Sequence, residues 1–353
     1  MKKKFTNVLS LSLLFMLSTS LVGCNASNVT PTYDIHTEEQ AKYLEGDYNL
    51  ISLYADGTKE LSKPNLVYFE FDPVKGNELT NFYCSQYEDF SVLESHYQMG
   101  SSSHFVVLDN LQINTTYYWY IQNGDRKSEV KTFNIESHAP RVLDIDGLTN
   151  ARDLGGYITS DGTYTNQGLI YRTSRLNENE STLPLITKAG VAEMTKHLKI
   201  KSELDLRRVD NNENGGIIES PLGKDVNYYS VPMKSGGNCI LLNTNVIKDA
   251  FAVLGNEENY PVVIHCSIGT DRTGMLCFLI NALLGVSEED LYKDYLFSNF
   301  ADIGGNRTPS TIKTYLNLLK FEEGDTLAEK TKNYLLGIDV AESDINKVIE
   351  IMK

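Results

Sequence analysis

Cysteine is scarce in this chain, which argues against a scaffold held by disulfides and against a structural zinc site. The 353 residues include five cysteines at irregular spacings. Small disulfide-held scaffolds are much richer in cysteine, and structural zinc sites use closely spaced pairs such as CxxC. The sequence therefore predicts neither a dense disulfide framework nor a CxxC metal site.

Basic residues are few relative to acids. The chain has 32 lysines and arginines against 47 aspartates and glutamates, a formal charge of −15. Without residues 1–23, which include three lysines and no acid, the formal charge becomes −18. An acidic excess of this size argues against nucleic acid and against anionic membrane surfaces as partners.

The N-terminal apolar run, Val8–Leu17, is too short to span a bilayer. It follows three lysines and precedes small polar residues, which is the pattern of a cleaved export signal. The residues Leu-Val-Gly-Cys that end at Cys24 resemble the bacterial lipobox, in which the cysteine becomes the lipid-modified first residue. We therefore expect a signal peptide at 1–23, a lipid anchor at Cys24 on the outer face of the bacterial cytoplasmic membrane, and a tether at 24–40. An ordinary secretory signal is the alternative, and it predicts a soluble product.

The length and the 41% apolar content favour two domains, the first rich in β-structure. Strand-like stretches occur at Asn65–Phe71, Ser103–Val107 and Tyr117–Gln122, with turn signals and no long helix between them. The end of this region resembles a fibronectin type III or immunoglobulin-like sandwich, because Leu111 and Tyr117 have the spacing of a tyrosine corner. We expect an all-β sandwich domain at 41–136, whose binding partner the sequence does not identify.

A polar, proline-containing boundary at 136–140 precedes a different pattern. Helix-like periods at 184–198 and 244–254 alternate with short strand-like stretches. The predicted strands are Leu169–Arg172, Ser202–Leu206, Asn227–Val231 and Val262–His265. This alternation predicts an α/β domain at 141–353, with a central, mostly parallel sheet flanked by helices.

The chemistry is concentrated in PVVIHCSIGTDRTGMLCFLI, residues 261–280. The stretch reads as a buried strand, a seven-residue loop and a buried helix that ends at Gly285. Such a loop directs successive backbone N–H groups and the positive end of the helix dipole to one place, which favours an oxyanion. The predicted phosphate cradle consists of Ser267, Ile268, Gly269, Thr270, Asp271 and Arg272.

Two residues at the ends of this loop carry the predicted reaction. Arg272 can grip two phosphate oxygens with its planar fork. Cys266 lies in the same positive field, which lowers a thiol pKa and produces a nucleophilic thiolate. A buried structural cysteine with a surface arginine is the alternative, and it leaves the glycine and the loop length unexplained. His265 either supports the thiolate or is a satisfied core histidine, and Thr273 either assists the departing sulfur or caps the helix.

The sequence HCxxGxDRTG at 265–274 resembles the bacterial tyrosine phosphatase family of cysteine-dependent phosphatases. Four other segments resemble the same family in the same order: NARDLGG at 150–156, YRTS at 171–174, DLR at 205–207 and DYLFSN at 294–299. The resemblance implies the cysteine phosphatase fold and a two-step hydrolysis of phosphate monoesters that uses no metal and no bound cofactor. In that reaction Cys266 attacks, a phosphocysteine forms, and water releases phosphate.

The general acid is less clearly marked. The segment 231–248, where many relatives carry a mobile acid, contains no carboxylate. The aspartate directly before Arg272 resembles the arrangement in myotubularin-type lipid phosphatases, in which the loop itself carries an acidic residue. This resemblance implies that Asp271 protonates the leaving oxygen, with Asp205 in reserve. Asp271 could instead brace the loop, and Asp205 could orient the loop or Arg207. The resemblance places Arg152, Arg172 and Arg207 in supporting positions around the pocket.

The resemblance leaves several substrate classes open. Relatives that act on phosphoinositides often carry a lysine at the position of Thr270, so phosphotyrosine, or phosphoserine and phosphothreonine, in proteins is favoured over lipid. Hydrolysis of phosphoinositides or inositol polyphosphates is the alternative reaction. An alternative of another class is a surface-binding or adhesion lipoprotein with a degenerate phosphatase domain.

Overall fold

The structure is a computed structural model that describes residues 30–353 except positions 77, 94 and 237. The predicted signal peptide and Cys24 lie outside the described residues. Residues 31–353 group into one compact unit. Among the described residues, no helix has both the length and the apolar character needed to cross a membrane.

The N-terminal part is built from antiparallel strands, with one short parallel strand at an edge. A six-stranded sheet has the order β1-β8-β6-β3-β4, with β7 paired to β6, and a separate pair joins β2 to β5. The strands are β1 Thr32–Tyr33, β2 Val67–Glu70, β3 Thr80–Ser85, β4 Ser95–Met99, β5 Phe105–Leu108, β6 Thr115–Asn123, β7 Arg126–Lys127 and β8 Lys131–Ile135. Phe69 of β2 packs edge-on against Trp119 of β6, with ring centroids 4.6 Å apart, so aromatic side chains join the two sheets.

The turn before β6 is closed by a tyrosine. The backbone N–H of Gln112 donates to Tyr117 Oη at 2.8 Å, immediately after the buried Leu111. Two elements before β2 have helical structure: α1 Glu38–Glu45 and a 3-10 helix at Tyr48–Leu53. Both β1 and the start of α1 therefore lie within the stretch predicted as a tether.

The C-terminal part contains the predicted α/β sheet. Its order is β12-β11-β13-β10-β9, parallel except for the edge strand β9. The strands are β9 Arg152–Asp153, β10 Ile170–Thr173, β11 Ser202–Asp205, β12 Asn227–Ser230 and β13 Val262–His265. The helices are α2 Lys188–Ala192, α3 Cys239–Leu242, α4 Thr244–Leu254, α5 Asp271–Leu284, α6 Glu288–Phe297, α7 Ser310–Leu319, α8 Leu327–Gly337 and α9 Glu342–Met352. The prediction of a mixed α/β fold with a mostly parallel sheet is confirmed.

Register places the carboxyl ends of the central strands side by side. Thr173 of β10 and Asp205 of β11 both pair with His265 of β13. In a parallel sheet this edge is where ligands bind. The residue that follows His265 therefore leaves the sheet at the middle of its carboxyl edge.

The helix expected at 184–198 is shorter than predicted. Pro184 forms a β-bridge with Asn177, and α2 begins only after Thr187, whose hydroxyl accepts from the N–H of Gly190. A π-helix, Glu193–His197, continues it. The apolar period predicts the helical structure that forms there, but the bridge between Pro184 and Asn177 occupies the first residues of the predicted range.

The two parts share one hydrophobic cluster, and a buried ion pair of the α/β part makes a hydrogen bond to the N-terminal part. Arg141 donates through Nη1 to Asp153 Oδ2 at 3.0 Å and through Nε to the carbonyl of Leu111 at 3.1 Å. Asp153 is fully buried and also accepts from the N–H groups of Gly155 and Gly168. A single guanidinium thus connects the tyrosine turn to the first strand of the α/β part.

Arg141→Met should lower the free energy of unfolding by about 3 kcal/mol or more, because it leaves Asp153 as an unpaired buried charge. Urea unfolding followed by circular dichroism measures the change. The double variant Arg141→Met/Asp153→Asn should recover part of the loss, and Arg126→Met, on the surface, should be near neutral. Equal stability of Arg141→Met and Arg126→Met would contradict this reading of the contact.

Candidate active site

The loop that joins β13 to α5 begins at Cys266, which is buried at the carboxyl edge of the sheet. Helix α5 starts at Asp271, two residues earlier than the sequence indicated, so Arg272 lies in its first turn. Gly269 has φ +68°, and a Cβ there would meet the Thr173 carbonyl oxygen at 2.3 Å. Only glycine fits both the left-handed backbone and this close approach.

The carbonyl groups of the loop face donors outside it. Ser267 O accepts from the Arg175 N–H at 3.2 Å, Ile268 O from Asn150 Nδ2 at 3.1 Å, and Gly269 O from Arg172 Nη2 at 2.8 Å. Among the described residues, the backbone N–H groups from Ser267 to Arg272 donate to no acceptor. Successive free N–H groups next to a helix N-terminus form an anion cradle.

A buried ion cluster supports the loop from below. Asp294 Oδ1 accepts from Arg152 Nε at 2.9 Å, and its other oxygen accepts from Arg172 Nη1 at 2.5 Å. Burial raises the pKa of Asp294, but the two guanidinium groups outweigh it and hold the pKa below its usual value. Three of the sequence segments that resemble the phosphatase family therefore meet at one carboxylate.

Arg207, the other predicted supporting arginine, binds Asp205. Arg207 Nη2 donates to Asp205 Oδ2 at 2.8 Å and to Asn177 Oδ1 at 2.6 Å. Tyr228 Oη donates to the same Asp205 oxygen at 3.0 Å. Burial raises the pKa of Asp205, but His265 and Arg207 lower it by more than burial raises it. The carboxylate therefore stays ionised. A fully buried, ionised and multiply bonded carboxylate favours a structural role for Asp205 over proton donation.

His265 contacts the loop backbone. Its Nε2 lies 2.8 Å from Glu203 Oε1, and its Nδ1 lies 3.2 Å from the carbonyl oxygen of Cys266. Burial lowers the pKa of His265, but Asp205 and Glu203 raise it by more, which favours an imidazolium between two carboxylates. Glu203, Asp205 and His265 place ligand-type atoms within 4.8 Å of one another, and the bonds to His265 and Arg207 account for this proximity.

The thiol of Cys266 differs electrostatically from two other buried thiols of the α/β part. Burial raises its pKa, but the charge of Arg272 and the neighbouring Thr273 outweigh burial and lower the pKa below the usual value. Burial raises the pKa of Cys239 and of Cys277 to about 11. The electrostatic field at the start of the loop, and not burial, therefore distinguishes the Cys266 sulfur from those of Cys239 and Cys277.

Glu213 is a site residue that sequence reasoning missed. Its carboxylate binds both ends of the Arg272 fork, with Nη1 to Oε2 at 2.8 Å and Nη2 to Oε1 at 2.6 Å, and accepts from Ser267 Oγ at 2.5 Å. Burial raises the pKa of Glu213, but these bonds lower it to about 2. The buried Nε of Arg272 has no partner among the described residues, so this edge of the fork is free for an oxyanion. Fifty-nine residues separate Glu213 from Arg272, and no motif in the sequence connects them.

Asp271 is held by Tyr295, which belongs to the DYLFSN segment, and by Arg307, which the sequence did not single out. Its Oδ1 accepts from Tyr295 Oη and from Arg307 Nε, both at 3.0 Å, and its Oδ2 accepts from Arg307 Nη2 at 3.2 Å. The Asp271 side chain is 31% exposed, whereas Asp205 has no exposed surface. Of the two acids predicted as proton donors, Asp271 is the one with access to solvent.

Alkylation should modify Cys266 before the two other buried thiols of the α/β part, Cys239 and Cys277. Iodoacetamide at about pH 7 should modify Cys266 and spare Cys239 and Cys277, because only Cys266 has a lowered pKa. Peptide mass mapping over a pH series gives the rate at each site. Thr273→Val should move the Cys266 midpoint to higher pH, since the buried hydroxyl that helps to lower the thiol pKa is lost. A Cys266 midpoint at or above about 8.5, the value of a free cysteine, would contradict the assignment.

Comparison with known proteins places this site in a family. Residues 143–336 match the family model described as the tyrosine phosphatase family. A candidate tyrosine-protein phosphatase of Cupriavidus necator is 26% identical over 192 residues, covering 47% of this chain and 66% of the relative. The chain thus spans slightly less than two thirds of the length of that relative.

Solved structures give weaker similarities. The catalytic core of the PP-IP phosphatase Siw14 from S. cerevisiae is 21% identical, with a TM-score of 0.31 and coverage of 47% of this chain and 84% of that one. TpbA of P. aeruginosa is 15% identical, with a TM-score of 0.32 and coverage of 50% and 89%. The assignment to a family rests on the match over residues 143–336.

Proposed function

Since this chain belongs to the tyrosine phosphatase family, we propose that it hydrolyses phosphate monoesters through a phosphocysteine formed on Cys266. The first substrate class is phosphotyrosine in proteins, and phosphoserine and phosphothreonine are the second. One observation carries the proposal: the thiol with a lowered pKa lies at the start of a loop whose N–H groups and Arg272 Nε have no acceptor among the described residues.

In the first step the loop N–H groups and Arg272 Nε bind the non-bridging phosphate oxygens. The Cys266 thiolate attacks phosphorus, the S–P bond forms, and the P–O bond to the leaving group breaks. Asp271 supplies the proton to the leaving oxygen.

In the second step water attacks phosphorus and the S–P bond breaks. Asp271, now ionised, takes a proton from the attacking water. The Thr273 hydroxyl, which acts on the Cys266 sulfur, stabilises the departing thiolate. Arg272 keeps its fork oriented throughout, since Glu213 holds the opposite edge. The Cys266 thiolate is regenerated and free phosphate is released, and neither step uses a cofactor.

Charge pairing around the loop supports a monophosphate substrate. The partly exposed arginines near the loop each bind a carboxylate: Arg175 with Glu178, Arg208 with Asp210, and Arg307 with Asp271. Thr270 stands where a lysine would favour phosphoinositides, and it is buried. An inositol polyphosphate or a phosphoinositide, the alternative substrates, would need surplus positive charge that these pairs neutralise.

The lowered pKa also weighs against the alternative of a binding or adhesion lipoprotein with a degenerate phosphatase domain. A protein that only binds has no use for a thiolate at the base of an anion cradle. We further propose export and lipid anchoring through Cys24, on the strength of residues 1–24 alone. An immunoglobulin-like sandwich for the N-terminal strands is supported by the Gln112–Tyr117 hydrogen bond and by the aromatic contacts between the two sheets.

Cys266→Ser should reduce hydrolysis of p-nitrophenyl phosphate by about 1,000-fold or more in the presence of a metal chelator, because the nucleophile is lost. Arg272→Ala should lose about 100-fold or more through poorer transition-state binding. Steady-state release of nitrophenolate measures both. Cys84→Ser, in strand β3, is the matched control and should stay close to the wild-type rate. Wild-type activity in Cys266→Ser would exclude the mechanism.

Asp271→Asn should discriminate between leaving groups. Nitrophenolate leaves with little help, whereas the phenolate of phosphotyrosine needs a proton, so the loss should be about 100-fold or more on a phosphotyrosine peptide and much smaller on p-nitrophenyl phosphate. In parallel, phosphate release by the wild-type protein is measured on a phosphotyrosine peptide, on phosphoinositide vesicles and on phytate. Equal losses on both aryl substrates would remove Asp271 as the acid. A wild-type preference for phytate or phosphoinositide would overturn the substrate class.

A further inference from the structure

The segment 57–62 lies in the N-terminal part, outside the residues that match the phosphatase family. It runs between the 3-10 helix that ends at Leu53 and strand β2, which begins at Val67. Its backbone and side chains contact two places that flank the phosphate loop. These contacts give the N-terminal part a role that its sequence does not suggest.

The first contact is made by Gly57. Its carbonyl accepts from the N–H groups of Ile303 at 3.1 Å and Gly305 at 3.0 Å, and its own N–H donates to Asn299 O at 2.8 Å. Gly57 has φ +75°, and a Cβ on it would meet the Gly305 carbonyl oxygen at 2.5 Å. Both the backbone conformation and the close approach therefore require glycine.

The loop that Gly57 contacts also contains Arg307, which binds Asp271. Asn299 closes the loop 299–307 by accepting from the Arg307 N–H at 2.6 Å and donating to the Arg307 carbonyl at 2.8 Å. The guanidinium of Arg307 then binds both oxygens of Asp271. The position of the proposed general acid thus depends on a loop that is fastened to residue 57.

The second contact is made by Ser62, which is buried. Its hydroxyl oxygen accepts from the backbone N–H of Asn150 at 3.0 Å. Asn150 Nδ2 donates to Ile268 O at 3.1 Å and to Thr270 Oγ1 at 3.2 Å, on the outer side of the phosphate cradle. Glu60 completes the contact by accepting from the Ser62 hydroxyl at 2.5 Å and from the Thr149 hydroxyl.

The N-terminal part fixes the segment in place. Gln40 of α1, which is fully buried, donates through Nε2 to Leu61 O at 2.7 Å and to Lys63 O at 3.1 Å. Leu61 also donates its N–H to Phe300 O at 2.5 Å. The segment is therefore bonded to α1 on one side and to the residues after α6 on the other.

We propose that the segment 57–62 is a positioning element of the active site, through Gly57 on Arg307 and Asp271, and through Ser62 on Asn150 and the cradle. The N-terminal part is then needed for catalysis itself, and not only for distance from a membrane or for recognition of a partner. The inference rests on the proposed phosphatase function, because it assigns the residues that orient that site.

Gly57→Ala tests the contact with the acid. The added methyl group should displace the 303–307 loop and reduce turnover of a phosphotyrosine peptide by about tenfold to 100-fold, with a smaller loss on p-nitrophenyl phosphate. The ratio of the two rates should thus fall, as for Asp271→Asn. The matched control is Gly162→Ala, which introduces similar backbone strain at φ +82° but has no atom within 4 Å of the new Cβ. Its ratio should equal that of the wild type.

Ser62→Ala tests the contact with the cradle, and this test does not depend on whether Gly57→Ala folds. The inhibition constant of inorganic phosphate should rise several-fold, and Ser62→Thr, which retains a hydroxyl, should restore it. Melting temperatures separate loss of stability from loss of positioning.

The two ways of failing are distinguishable. A wild-type enzyme without activity on any phosphate monoester would refute the phosphatase proposal itself. An active wild type, with folded Gly57→Ala and Ser62→Ala variants that keep its rate ratio and its phosphate inhibition constant, would refute the positioning role alone.

Discussion

The site depends on the buried ion pairs that the Asp294 carboxylate forms with Arg152 and Arg172. The carboxylate neutralises Arg152 and Arg172, two guanidinium groups that are buried side by side and would otherwise repel each other. Through Arg172 the cluster reaches Gly269 O, and through Arg152 it reaches the Asn150 side chain that binds Ile268 O. With its carbonyl groups bound on the outside, the loop keeps its N–H groups for the anion.

Charge pairing extends from this cluster to the surface of the site. Arg272 is paired with Glu213, and Arg307 with Asp271, so the positive charge needed for phosphate is present but already matched by acids. This pairing is consistent with a strongly acidic protein for which we propose an anionic substrate. A substrate phosphate gains the unpartnered Nε of Arg272 and the free N–H groups of the loop, and these interactions do not require either ion pair to break.

The N-terminal strands and the α/β sheet share one core, and their contacts converge near the same loop. Arg141 connects the turn at Leu111 to Asp153, in the strand β9 that also contains Arg152. Gly57 and Ser62 contact residues that hold Asp271 and Ile268. A cooperative unit of this kind lets a change in the N-terminal part reach the reacting groups through a few directional bonds.

The sequence by itself determined the α/β class, the strand Val262–His265 and the loop after it, because these depend on local apolar runs, a glycine and a helix start that are contiguous in the chain. It also determined which segments resemble the phosphatase family. Only the tertiary structure decided the partners of those segments. Glu213, Arg307 and Ser62 lie 59, 36 and 88 residues from the groups they bind, and no local pattern encodes such pairings. The bounds of α2 differed for the same reason, since the bridge between Asn177 and Pro184 competes with helix formation. Local periodicity specifies elements, whereas burial and charge compensation between distant residues specify the site.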